Sequence, residues 1–117
     1  MLTTCSLLVN YSLLVNDSLL VNYFFTTCKV SGCKYHGVAF VGPTARGAVR
    51  RCVVEGNQQN GVLLRDGASP TLDANRLTSN GQYGAALLDC RGRYLDSNQA
   101  SKNGKGAVSG ECDDDDV

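Results

Sequence analysis

After the first quarter of the chain, apolar and polar residues alternate in short runs that glycine and asparagine interrupt. Gly61-Val62-Leu63-Leu64 is answered by Gly84-Ala85-Ala86-Leu87 and again by Gly106-Ala107-Val108. The glycines that open these phrases, Gly37, Gly61, Gly84 and Gly106, are spaced by 24, 23 and 22 residues. A period in the twenties marks a solenoid, whose repeats bury their apolar faces only by stacking. In that register Val38, Val62, Ala85 and Ala107 form one column, and Phe40, Leu64, Leu87 and Ser109 form the next. Val49, Leu72 and Leu95 form a third, and Val54, Leu77 and Ala100 a fourth. The alternation has period 2, as in strands, and no segment sustains the i, i+3, i+4 spacing of a helix. Glycine and asparagine limit the strands to about three to five residues. The prediction is an all-β fold, a parallel β-helix of about four short rungs with Val62, Leu64, Leu72 and Leu77 inward.

Polar residues repeat in the same register. Asn75 and Asn98 form one column, with Cys28 and Cys52 at the equivalent earlier positions. Asn57, Asn80 and Asn103 form another, with Cys33 in it. An asparagine at a tight turn can bond neighbouring backbone, and stacked asparagines can bond one another up the column. The stretch from Gly61 through Asp66-Gly67, Leu72, Asn75-Arg76-Leu77 and Asn80-Gly81 resembles the right-handed parallel β-helix repeat of pectate-lyase-like proteins. This repeat is also called the carbohydrate-binding and sugar-hydrolase repeat. The closest likeness is to the β-helix domain of F-box ubiquitin-ligase receptors. The resemblance spans roughly residues 26–110 and implies right-handed winding. Its functional content is broad, since enzymes, tail-spike proteins and non-catalytic binders share the repeat.

Three segments are expected: 1–25, 26–111 and 112–117. Residues 6–23 carry a second repeat, Ser-Leu-Leu-Val-Asn followed by Tyr or Asp, with period six. In a strand that period keeps Leu7, Val9, Leu13, Val15, Leu19 and Val21 on one face, whereas on a helix the leucines form no stripe. Two readings stay open: a β cap on the first rung, or recent duplication without a structural role. The rungs occupy 26–111. The Asp113–Asp116 run that follows is of a kind usually disordered and solubilising.

Lysine plus arginine and aspartate plus glutamate number 11 each, so the net charge is zero and neither nucleic acid nor an anionic membrane is an expected partner. No apolar run approaches the length of a membrane helix. The first basic residue is Lys29, so the amino terminus has no basic leader of the secretory kind, and a cytoplasmic location is expected. The six cysteines would otherwise point to a secreted disulfide scaffold. Because Cys28, Cys33 and Cys52 fall in the asparagine columns, they are expected to fill space as thiols, with nearly all six free. Stacked residues lie about 5 Å apart, within disulfide reach, so a Cys28–Cys52 bridge stays open. No paired Cys-x-x-Cys occurs, His36 is the only histidine, and no metal or cofactor is expected.

Ligands of a β-helix meet its outward columns. Arg50, Asp73 and Asp96 share one such column in this register, and Val41, Arg65 and Leu88 another. Arg46, Arg51, Arg91 and Arg93 are placed in or near turns. In lyases of the resembled fold, an acidic cluster holds calcium and an arginine takes a proton from the sugar. Arg50, Asp73 and Asp96 sketch that arrangement but supply only two carboxylates, where calcium takes six or more oxygens. A solvated charged face is the plainer reading. The candidate carboxylates for sugar hydrolysis, Asp66, Asp73, Asp89 and Asp96, carry no local motif. The function expected is a non-catalytic module that binds a protein or glycan on its outer face through Arg50, Asp73 and Asp96. A remnant polysaccharide lyase or glycoside hydrolase, and a structural piece of a longer β-helix protein, are the alternatives. Self-association through open solenoid ends is a further expectation.

Overall fold

The computed structural model describes residues 13–15, 22–43 and 45–112. Its strands are β1 (Leu13–Val15), β2 (Asn22–Thr26), β3 (Lys29–Ser31), β4 (Val38–Val41), β5 (Arg46–Arg50), β6 (Val53–Glu55) and β7 (Val62–Arg65). They continue as β8 (Ser69–Asp73), β9 (Arg76–Thr78), β10 (Tyr83–Leu88), β11 (Arg93–Tyr94), β12 (Gln99–Ser101) and β13 (Gly106–Gly110). Every third strand joins the same sheet. One five-stranded sheet runs β1-β4-β7-β10-β13, and two four-stranded sheets run β2-β5-β8-β11 and β3-β6-β9-β12. All pairings are parallel. The chain therefore winds through three sheets per turn, for about four turns.

The core is the inward set of each sheet. Val38, Val62 and Ala85 stack in one column, and Phe40, Leu64 and Leu87 in the next. Val49 stacks on Leu72, and Val30, Val54, Leu77 and Ala100 stack in sequence. Val62, Leu64, Leu72 and Leu77 are fully buried, as their columns predict. Phe25 meets Phe40 edge to face across the core, with ring centroids 6.4 Å apart. In the amino-terminal segment, β1 pairs with β4 so that Leu13 and Val15 register with the inward residues Val38 and Phe40. The other residues of the hexapeptide repeat before Asn22 lie outside the described residues.

Between sheets the backbone turns through left-handed residues at recurring positions. Thr27, Arg51 and Ala74 have φ of 55°, 52° and 56°, each one residue before Cys28, Cys52 or Asn75. The side chains that follow hold the rungs together. Asn75 Nδ2 donates to Asn98 Oδ1 at 2.9 Å and to the Val49 carbonyl at 2.8 Å. Asn57 Nδ2 donates to Asn80 Oδ1 at 2.9 Å, and Asn80 Nδ2 to Asn103 Oδ1 at 3.0 Å. Backbone amides join in: the Cys33 N–H donates to Asn57 Oδ1, and the Cys52 N–H to Asn75 Oδ1. Asn57, Asn75 and Asn80 are buried, and these bonds offset the cost of taking their amides out of water.

Three expectations are corrected. In the last rung Val108, not Ala107, registers with Ala85, and Gly110, not Ser109, follows Leu87. The period stays at 23; Ala107 occupies the position held by glycine in earlier rungs, and Val108 packs on the core. In the third column Tyr94, not Leu95, registers with Leu72. The turn into the second sheet takes three residues after Val41, two after Arg65 and one after Leu88, before Ala45, Ala68 and Cys90 in turn. The residue lost there returns between Tyr94 and Asn98, where three residues stand against the two between Leu72 and Asn75.

The third correction concerns the cysteines. Cys90 and Cys112 form a disulfide with Cα atoms 4.7 Å apart, and Cys33 is disulfide-bonded too. Cys90 and Cys112 are 22 residues apart, so they stack on adjacent rungs, the geometry that brings two cysteines within bonding reach. Cys28 and Cys52 are free thiols, as expected of them.

Candidate functional site

The three outer faces differ in what they offer a ligand. On the five-stranded sheet the outward Ala39, Leu63 and Ala86 are buried as a small apolar cluster with Val41. On the β3-β6-β9-β12 sheet, charges of both signs mix, and Lys29 Nζ lies 3.2 Å from Glu55 Oε2. The β2-β5-β8-β11 sheet is different. With Val49 and Leu72 inward, alternation turns Arg46, Ala48 and Arg50 outward on β5 and Ser69, Thr71 and Asp73 outward on β8. Arg46 registers with Ser69, Ala48 with Thr71, and Arg50 with Asp73. Arg93 registers with Thr71 from the other side. The Arg91 N–H donates to the Ala68 carbonyl at 2.8 Å, which sets Arg91 beside Ser69. Arg46, Arg50 and Arg93 are exposed.

Arg50 and Asp73 are thus neighbours on adjacent rungs, as the sequence register has them. Asp96 is not the third member. The Leu95 N–H donates to the Leu72 carbonyl at 3.0 Å, so Leu95 takes the place beside Asp73 and Asp96 falls in the turn beyond. That turn uses Asp73 in another way. The Ser97 hydroxyl donates to Asp73 Oδ1 at 2.6 Å and accepts the Ala74 N–H at 2.8 Å. Asp73 therefore braces the extra residue in the turn between β11 and β12. Arg46 and Arg93, which the sequence reading left in or near turns, stand on strands on the same face as Arg50. Alternation with Val49 could have found Arg46, whereas Arg93 becomes legible only once Tyr94 is known to be inward.

The ion pairs among the described residues, Lys29–Glu55 and Arg65–Asp66, both lie off this face. Nor does any group of three or more histidine, cysteine, aspartate or glutamate side chains converge among the described residues as metal ligands would. The family described as "Right handed beta helix region" matches residues 10–114, most of the chain. The chain belongs to the right-handed β-helix family. No curated protein and no solved structure matches it at a significant level.

His36 in this β-helix protein is biased toward its neutral form. His36 is half-buried at the entry to β4, and its Nδ1 accepts the Asn60 N–H at 3.3 Å from the next rung. Asn60 repeats the role one rung on, accepting the Tyr83 N–H at 2.9 Å. Burial first, and the Arg65 charge second, lower the His36 pKa below its ordinary value of 6.5. An imidazole protonated on both nitrogens cannot accept that bond. As pH falls below about 6.5, the unfolded chain takes up a proton that the folded chain resists. The stability tied to neutral His36 is therefore complete above that value and is lost as pH falls toward the lowered folded pKa. Melting midpoints from pH 7.5 to 5.5 should fall, and the slope should flatten in His36→Asn, which keeps an acceptor but does not titrate. Equal slopes for the two proteins would remove His36 from the account.

Proposed function

We propose that this β-helix chain is a non-catalytic module that binds a protein or glycan ligand across the outer face of the β2-β5-β8-β11 sheet, and that the ligand is acidic there. The observation that carries the reading is the charge imbalance of that face. Arg46, Arg50 and Arg93 are exposed around Ser69 and Thr71 on neighbouring rungs, and the one carboxylate among them, Asp73, is engaged by Ser97. Strands about 4.8 Å apart set the rungs of such a face at a regular spacing. Planar guanidinium groups suit carboxylate or sulfate by paired hydrogen bonds, and hydroxyls between them suit sugar or peptide polar groups. Of the residues first put forward as the site, Arg50 and Asp73 stay on this face, and Asp96 is replaced by Arg93.

The test is binding to an array of acidic and neutral glycans and to acidic peptides, comparing the native chain with Arg50→Ala/Arg93→Ala. The double variant should lose at least about tenfold in affinity, since charge-assisted contacts contribute ~1.5–3 kcal/mol each. Its melting midpoint should barely move, because exposed charges contribute little to stability. Asp96→Asn should bind as the native chain does. Binding should also weaken with salt, as screening requires. Undiminished capture of every ligand by the double variant would reduce the arginines to solvated surface charges.

A further inference from the structure

Cys28 and Cys52 stack in the column that Asn75 and Asn98 continue, and they reproduce its bonding. The Asn75 N–H donates to Asn98 Oδ1 at 2.9 Å and the Cys52 N–H to Asn75 Oδ1 at 3.0 Å. The Cys28 N–H donates to Cys52 Sγ at 3.4 Å, so the sulfur stands where the amide oxygen would. The Val53 N–H donates to the Cys28 carbonyl at 2.9 Å, which fixes the two cysteines on adjacent rungs. Adjacent-rung stacking is the arrangement that Cys90 and Cys112 occupy as a disulfide. Cys28 and Cys52 share that stacking but are both thiols. Their accessibility differs: Cys28 is partly exposed with its Sγ against the Thr26 carbonyl, whereas Cys52 is 2% exposed. The Cys52 Sγ also contacts the carbonyls of Phe25 and Arg50, each at 3.3 Å.

We propose that Cys28 and Cys52 form a thiol–disulfide exchange site, in which a small-molecule disulfide enters at Cys28 and Cys52 resolves the adduct into a rung-to-rung bridge. In the first step the Cys28 thiolate, its proton lost to water, attacks one sulfur of the disulfide. A mixed disulfide forms at Cys28 and one small-molecule thiolate leaves. In the second step the Cys52 thiolate attacks Cys28 Sγ, the Cys28–Cys52 bond forms, and the second thiolate leaves. Two protein thiols and one small disulfide become one protein disulfide and two small thiols, so electrons and protons balance. Exposure sets the order, because an external disulfide reaches Cys28 and not the buried Cys52. Burial also raises the Cys52 pKa, which makes the second step faster as pH rises. The product ties β2 and β3 covalently to β5 and β6, and so fixes the rung that carries Phe25 to the body of the solenoid.

The test is incubation of the folded chain with glutathione disulfide, followed by non-reducing tryptic digestion and mass spectrometry. Lys29 and Arg51 lie between the two cysteines, so trypsin separates them and a bridge appears as a cross-linked peptide pair. The native chain should lose both free thiols and give the Cys28–Cys52 pair as the main product, reversed by dilute dithiothreitol. Cys52→Ser should stop at a single stable glutathione adduct on Cys28. Cys28→Ser should leave Cys52 unmodified until the chain is unfolded. Circular dichroism of each variant establishes that it is folded, and the native-chain result stands without them. A native chain that retains both thiols, or that accumulates the Cys28 adduct without the cross-link, overturns the proposal.

Discussion

Leu72→Asp should leave a chain with no cooperative melting transition. Leu72 lies on β8 between Val49 and Tyr94 and is fully buried in the central column. Truncating a buried leucine costs ~2–5 kcal/mol through lost burial and the cavity left behind. A carboxylate without a partner in that position adds several kcal/mol more unless it takes up a proton. Against a typical domain stability of ~5–15 kcal/mol, the sum removes the folded state. Leu72→Met, which nearly conserves volume, should cost less than ~1.5 kcal/mol. The same comparison one rung on tests the corrected register. Tyr94 packs against the core and burial raises its phenol pKa, whereas Leu95 is the residue beside the outward Asp73. Tyr94→Asp should therefore be much more damaging than Leu95→Asp. A Leu72→Asp chain with native circular dichroism and an unchanged midpoint would refute the inward assignment of that column.

The core was legible wherever the rung kept its length. Val62 and Leu64 follow the opening glycine, and Leu72 and Leu77 flank Asn75, at offsets that the preceding rung keeps from Gly37 and Cys52, so each column can be counted from its nearest punctuation mark. Counting failed where turn length changed without a visible marker. Gly67 has no counterpart in the turn before Cys90, and the compensating residue appears only after Tyr94. A one-residue offset between those points exchanges inward and outward faces for a whole strand. That offset put Leu95 in the core and Asp96 on the face, and it hid Arg93. The Cys90–Cys112 bridge was missed for a different reason. Cys112 lies beyond the last glycine phrase, outside the columns counted there, although its separation of 22 from Cys90 equals that of Gly106 from Gly84. The outward charged face itself was legible through Arg50 and Asp73, because β5 and β8 have equal lengths and pair along their whole extent. What sequence could not give is which outward charges are already engaged, since the Ser97–Asp73 contact depends on the extra turn residue.

Gly61→Ala should destabilise the chain by several kcal/mol although it adds one methyl group. The φ of Gly61 is not in the left-handed region, so the backbone alone would accept alanine. Space is the constraint. A Cβ there would stand 2.6 Å from the Gly84 carbonyl oxygen and 2.8 Å from Asn80 Nδ2. Both obstacles belong to the next rung, and neither is the loose end of a flexible chain. Asn80 is buried, and its Nδ2 already donates to the Val54 carbonyl at 3.1 Å and to Asn103 Oδ1 at 3.0 Å. Moving it breaks bonds whose loss leaves a buried amide unsatisfied, at ~1–3 kcal/mol. Forcing the rungs apart adds the usual overpacking cost of ~1–3 kcal/mol. Gly37 and Gly84 meet the same obstruction one rung away, from Asn57 and Gly61 and from Asn103 and Ala107 respectively, so the asparagine column and the glycine column require each other. Gly56→Ala is the control. Gly56 has φ of +67° and nothing within 4 Å of an added Cβ, so only the left-handed backbone opposes alanine, at ~1–2 kcal/mol. Chemical denaturation of the two variants should place Gly61→Ala well below Gly56→Ala in midpoint. The reverse order would mean that the rungs separate locally at little cost, and that close stacking does not require glycine before each inward strand.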